Sequence, residues 1–232
     1  MRVGIHQLHY LPWLRYFHKI ACADVFVVLD NIQYNKNGYQ NRNRIKTPRG
    51  PLMLTVPVYE KFGQPLDVVL IDNKRPWARK HWRSIEQHYG RAPYFPEYAP
   101  ALARFYAKEW DSLNALNRAM LAHFLGVLGI ETPIVYASDL DAPGEATERL
   151  IQLIRAVHGM SYLTGAYALD TYLDARALAD AGIALEIQQW HAVEYPQGGG
   201  AFVPDLSIVD LLMHCGPQSR DVLLGHPYDP PQ

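Results

Sequence analysis

The residues most able to do chemistry are concentrated between positions 30 and 46, Asp-Asn-Ile-Gln-Tyr-Asn-Lys-Asn-Gly-Tyr-Gln-Asn-Arg-Asn-Arg-Ile-Lys. Between Asn31 and Gly50 lie the cations Lys36, Arg42, Arg44, Lys46 and Arg49, and no acid. Asn31, Asn35, Asn37, Asn41, Asn43, Gln33, Gln40, Tyr34 and Tyr39 are set among them. Arginine forks match carboxylate and phosphate, and side-chain amides pair with hydroxyls, so the pattern suits an anionic or polyhydroxylated ligand. A diphosphate would fall to Arg42, Arg44 and Lys46, and sugar hydroxyls to Asn37, Gln40 and Asn41. The competing reading is a solvated basic loop.

A second group lies nearer the N-terminus. His6 and Gln7 end an apolar run and open an aromatic loop holding His9, Tyr10, Pro12 and Trp13, followed by Tyr16, Phe17 and His18. The spacing of His6, His9 and His18 matches no compact zinc pattern, so no metal is assigned. A neutral histidine can act as acid or base near neutral pH, and His6 and His18 are the candidates. Asp30 is the candidate to orient that base, the alternative being a turn-forming aspartate. Thr164 and Gly165 close another apolar run and place a hydroxyl and a flexible glycine at its end. Gly198, Gly199 and Gly200 precede a helix that Asp205 is expected to cap. Cys215 and His214 are neighbours on one helix and cannot form a dyad.

These residues must be carried by strand ends. Arg2–His6 and Val25–Leu29 read as strands, with helical spacing over Leu14–Cys22 between them, which is the order of a parallel βαβ unit. The stretch 30–46 therefore leaves a strand's carboxyl end, where open α/β sheets place their ligands. Further strands are expected at Leu52–Val58, Val68–Ile71, Thr132–Ala137, Ser161–Leu163 and Ile183–Trp190. Helices are expected at Pro76–His88, Pro100–Trp110, Ser112–Leu128, Glu145–His158, Asp174–Ala181 and Leu206–His214. Ser112 caps the longest and Gly129 ends it. The sum is an α/β fold, a mostly parallel sheet flanked by helices, nucleotidyltransferase- or Rossmann-like, with a helix-rich insertion over about 76–128. One domain covers 1–232. An H-x-G-H element is only echoed, because Arg15 stands where its glycine would approach phosphate. No Walker A, G-x-G-x-x-G or G-x-S-x-G pattern occurs.

Composition narrows the partners. With 49% hydrophobic residues, 19% charged and a net charge of −1, the chain is globular and has no global pull toward nucleic acid or anionic membrane. No apolar run approaches the roughly 18 residues of a membrane span. Two cysteines and a start without a signal-like apolar core point to a cytoplasmic protein with free thiols.

Four blocks together resemble the WbqC-like family. They are G-I-H-Q-x-x-Y-x-P-W-L-x-Y-F-H-K-I (4–20), D-N-I-Q-Y-x-K-N-x-Y-Q-N-R-N-R-I-K-T (30–47), Y-L-T-G (162–165) and F-V-P-D-L-S-I-V-D-L-L (202–212). The chain departs from the family at Leu8-His9, where Pro-Asn is expected, at Leu11, where an aromatic is, and at Arg15, where Gly is. The resemblance implies a bacterial protein of O-antigen or other surface-polysaccharide (lipopolysaccharide) synthesis, and transfer of glycine to the amine of an amino sugar. On that reading the substrate is a nucleotide- or lipid-linked amino sugar, with Tyr10, Tyr34 and Tyr39 lining the sugar site. Gln7, Trp13, Gln33, Lys36, Thr164 and Gly165 complete it. The acyl donor is an aminoacyl-tRNA, or an adenylate made with ATP and magnesium. The rival readings are an ATP-dependent ligase and a non-catalytic binder of nucleotide sugars or RNA ends.

Overall fold

The computed structural model describes residues 1–169 and 171–229. Five strands form its central sheet: β1 (Arg2–Gln7), β2 (Val25–Leu29), β7 (Ile134–Tyr136), β8 (Ser161–Thr164) and β9 (Ala184–Ile187). All pair in parallel, in the spatial order β7-β2-β1-β8-β9. Counted along the chain this is the 3-2-1-4-5 order of doubly wound α/β sheets, with its topological switch point between β1 and β8. The sequence reading of an α/β fold with a parallel sheet is borne out.

Strand alternation sends side chains to two apolar layers. Val3, Ile5, Val25 and Val27 pack with Leu150, Leu153 and Ile154 of α5 (Ala146–Ala156) and Leu178 of α6 (Ala175–Asp180). Leu8, Phe26 and Val28 pack on the opposite face with Phe17 and Ile20 of α1 (Leu14–Ala21) and with Leu121 and Phe124 of α4 (Leu113–Leu128). Gly4 is needed here, since a Cβ on it would lie 2.7 Å from the Phe26 ring. Full burial of Phe26 contributes about 1.5–3 kcal/mol, which a side chain at position 4 would erode.

The link from β2 to β7 carries an inserted layer. It contains the antiparallel hairpin of β3 (Arg42–Thr47) and β4 (Gly50–Thr55), and the short pair β5 (Val58–Tyr59) and β6 (Leu70–Ile71). Helices α2 (Trp77–Tyr89) and α3 (Phe95–Ala107) and then α4 complete it. Ser112 caps α4 by accepting from the Ala115 N–H, and Gly129 ends it at φ 60°, as the sequence indicates. Helix α3 starts five residues before the expected Pro100, with Pro96 in its first turn and Pro100 taken into the helix.

Two expectations are corrected. The cationic half of the 30–46 stretch is a strand, not a loop. Asn43 and Ile45 of β3 are wholly buried, and Arg42, Arg44 and Lys46 alternate with them on the other face. The cap of α7 (Ile208–Cys215) is Ser207, whose hydroxyl accepts from the Val209 N–H. Asp205 sits at φ 54° and pairs with Arg15 instead. Among the described residues, no helix is long and apolar enough to cross a membrane. A short helix, α8 (Ser219–Leu223), closes the described chain against α1 and α7.

Candidate functional site

At the switch point the ladder between the two central strands stops early. Pairing of β1 with β8 ends at Gly4 and Leu163, while β1–β2 pairing runs on to Gln7 and Leu29 and β8–β9 pairing to Thr164 and Ile187. Beyond Gly4 the two strands part, leaving Ile5, His6 and Gln7 on one wall and Thr164 and Gly165 on the other. A Cβ on Gly165 would meet nothing within 4 Å. Helix α1 covers the β1 side and delivers Tyr16, His18 and Lys19.

His6, at the mouth of this crevice, touches His9 (ring centroids 4.8 Å apart), Tyr16 (5.1 Å) and Trp13 (6.1 Å). Its Nδ1 lies 3.3 Å from the Gln7 carbonyl, which can only accept, so Nδ1 carries the proton and Nε2 presents a lone pair. Burial pushes the His6 pKa well below the usual histidine range, with the charges of Lys19 and His9 adding to it. Burial, and then Lys19, push His9 down to about 3. Both rings are therefore neutral at pH 7. Lys19 is buried, and burial pushes it down to about 8, with Arg15 contributing. His9 was weighed from the sequence only as a metal ligand, and Lys19 was not singled out. A lysine five residues after Leu14 on an amphipathic helix reads as surface, and only the unbonded, buried state of its neighbours marks it.

Above the crevice the amides assemble. The Gln40 Nε2 donates to Gln7 Oε1 at 3.2 Å, and its Oε1 accepts from the Asn35 N–H at 2.7 Å. Trp13 stands edge-on to Tyr39, centroids 4.6 Å apart. Asn43 donates to the Leu11 carbonyl at 2.7 Å, holding the first loop, where Leu11 adopts φ 44°. Arg42 donates to the Asn37 carbonyl and to its Oδ1, and Arg44 reaches the Asp205 carbonyl at 3.4 Å. Among the described residues neither guanidinium meets a carboxylate, and the Nε of each is buried without an acceptor. Arg15, whose ion pair with Asp205 places it beside Arg44, was not anticipated.

Several sequence candidates lie apart from this group. The Asp30 carboxylate is wholly buried and filled, by the Ser138 N–H (3.0 Å), the Ser138 hydroxyl (2.8 Å) and an ion pair with Arg118. None of its contacts is with His6 or His18. His18 accepts from the Gln188 amide at 2.9 Å, 3.6 Å from the Cys22 thiol, and has its pKa lowered by burial. The Tyr10 hydroxyl is locked inside the helical layer between His81 (2.9 Å) and Tyr106 (2.7 Å). Asn41 donates to the Val56 carbonyl at 2.8 Å. Lys46 is buried, donating to Gln197 Oε1 at 3.1 Å and to the Ala201 carbonyl at 2.6 Å. Those bonds tie β3 to the glycine loop, in which Gly198, Gly199 and Gly200 all have positive φ. Tyr34 is buried, with its pKa raised to about 12 by burial, and Lys36 pairs with Glu60 at the surface. Gln33 is exposed. Thr164 is buried at the crevice wall, its carbonyl accepting from the Gln188 N–H. Two open surface clefts, of about 430 and 640 Å³, are lined by none of these residues. Among the described residues, no group of three or more His, Cys, Asp or Glu is placed to hold a metal ion.

A doubly wound α/β protein with a histidine–lysine crevice at its switch point and a guanidinium row beside it is what the fold and site define. The chain belongs to the WbqC-like protein family, whose sequence model matches residues 7–222. It is similar to Rv1507c of Mycobacterium tuberculosis, an uncharacterized protein, at 37% identity over 226 residues, 96% of this chain and 97% of that one. No solved structure matches the chain.

Proposed function

We propose that the protein is an amide-forming acyl transferase whose acceptor is the amine of a nucleotide- or lipid-linked amino sugar. The observation that carries this reading is His6: a neutral imidazole at the mouth of the switch-point crevice, its Nε2 lone pair without a donor among the described residues. An attacking amine forms the new C–N bond and sheds a proton, which Nε2 accepts and returns to the departing group as the acyl–oxygen bond breaks. A tetrahedral intermediate loses its ammonium proton readily, so a weakly basic ring suffices. Arg42 and Arg44, without carboxylate partners among the described residues, suit the diphosphate of the acceptor. The family resemblance favours glycine as the acyl group and surface-polysaccharide assembly as the setting. Asp30 is given no part in the reaction, because its oxygens are already bonded.

The test is mass spectrometry of UDP- and dTDP-amino sugars incubated with the protein and aminoacyl donors, both aminoacyl-tRNA and aminoacyl adenylate. The expected product is heavier by one aminoacyl residue. His6→Gln is expected to slow its formation by about 10²–10⁴-fold while leaving acceptor binding intact. Turnover at the wild-type rate in His6→Gln, or no product with any donor, overturns the reading.

A further inference from the structure

The floor of the crevice holds an unusual set of unmet polar groups. The Lys19 ammonium is 6% exposed, forms no ion pair among the described residues, and has one long contact, 3.5 Å, to the Ile5 carbonyl. That carbonyl belongs to the part of β1 that β8 no longer pairs. Beside it, His9 Nδ1 is buried without a partner among the described residues, although His9 is only 3% exposed; the Tyr16 hydroxyl, also unpartnered, lies toward Tyr136 of β7 instead. The rings of His6, His9 and Tyr16 are in mutual contact, with centroids 4.8–5.5 Å apart. Buried polar groups are ordinarily bonded, and a buried cation ordinarily has a counter-charge. Lys19 and His9, meeting where two strands part, leave one charge and one hydrogen bond unsupplied.

We propose that this crevice binds a single carboxylate group, paired with the Lys19 ammonium and hydrogen-bonded by the His9 ring. The charge count selects the chemistry. With His6 and His9 neutral and Arg15 paired with Asp205, Lys19 is the only uncompensated cation of the cluster among the described residues, and it balances a monoanion. A phosphate dianion would bring surplus charge to a site whose other nearby cation, Arg15, already holds Asp205, and suits the guanidiniums of Arg42 and Arg44 better. A metal ion would be repelled by the ammonium. The β8 wall leaves room, since nothing lies within 4 Å of the position a Cβ would take on Gly165. The carboxylate can come from a free amino acid or from an acidic sugar. This inference concerns binding and stands whether or not amide transfer occurs.

The experiment is thermal denaturation and calorimetric titration of the full chain with acetate, the common amino acids, glucuronic acid and inorganic phosphate. Each carboxylate is matched by its neutral counterpart, an amino-acid amide or glucose. A carboxylate is expected to raise the midpoint, as any ligand of the native state does, while its counterpart does not. Stabilisation by an amino acid or by glucuronic acid alone identifies the source. Lys19→Met is expected to weaken that binding at least tenfold and Lys19→Arg to restore part of it, with Arg42→Ala leaving it unchanged. Equal stabilisation by carboxylate and counterpart, preference for phosphate, undiminished binding in Lys19→Met, or no stabilisation by any carboxylate overturns the proposal. Carboxylate binding without any amide product would retire the transferase reading and keep this one.

Discussion

The ends of neighbouring strands β2 and β1 carry two buried polar groups that are opposites. At the end of β2, Asp30 is fully buried and every direction around its carboxylate is filled, by Ser138 twice and by Arg118. Its carbonyl accepts from Asn114 at 2.7 Å, and the next residue, Asn31, accepts from Arg149 at 2.6 Å. At the end of β1, by contrast, Lys19 and His9 are nearly as buried and are unfilled among the described residues. A saturated cluster fixes the inserted layer to the sheet, because its partners come from α4 and from the turn after β7. An unsaturated one lowers the stability of the empty protein and is retained only if something else completes it.

The largest expected effect tests the saturated side. Asp30→Ala removes the buried half of an ion pair with the partly exposed Arg118 and orphans the Ser138 N–H and hydroxyl, and should cost about 2–4 kcal/mol of unfolding free energy. Urea denaturation followed by circular dichroism measures it. A loss under about 1 kcal/mol would erase the distinction between the two clusters.

That distinction was only half legible in the sequence. Strands and helices announce themselves by local period, as the Val25–Leu29 run and the Ser112-to-Gly129 helix do, and the doubly wound class follows from their order. Strand β3 hid because one face carries Asn43 and Ile45 and the other Arg42, Arg44 and a buried Lys46, so no apolar alternation exists to read. Asp30 looked like a free carboxylate because its partners are 88 and 108 residues away. Lys19 was invisible for the opposite reason: its meaning lies in the partners it lacks, and no spacing encodes a missing contact. The histidines of the first loop could be named, but only packing shows that His6 faces the crevice while His18 is engaged by Gln188.

On the unsaturated side, Lys19→Met should stabilise the empty protein, by up to about 3 kcal/mol at pH 7, since a lysine held at about 8 rather than 10.5 bears that much penalty while charged. The sign with pH follows. Below pH 8 the lysine is protonated in both folded and unfolded states, and the penalty is constant. Between pH 8 and 10.5 the unfolded chain binds more protons, so wild-type stability rises with pH on this account and the advantage of the variant shrinks. Chemical denaturation of both proteins from pH 7 to 10.5 reads the difference directly. Parallel profiles would mean that Lys19 is solvated in solution and that its isolation is not real.

The smallest stability effect, and the sharpest contrast, is expected at Arg42 and Arg44. Their guanidiniums are buried at Nε, like that of Arg118, but they hold backbone carbonyls and an amide where Arg118 holds a buried carboxylate. Removing Arg118 would strand a charge; removing Arg42 or Arg44 strands only neutral acceptors, one of which, Asn37, is exposed and can turn to water. Arg42→Ala and Arg44→Ala should therefore each change unfolding free energy by no more than about 1 kcal/mol. If the row holds a diphosphate, each should still weaken a UDP-amino sugar at least tenfold, with a steeper salt dependence in the wild type than in the variants. Unfolding by either substitution would place these arginines with Asp30 among the groups that hold the fold together. Retained folding with retained affinity would leave the anion to some other part of the molecule, and with it the acceptor half of the proposed reaction.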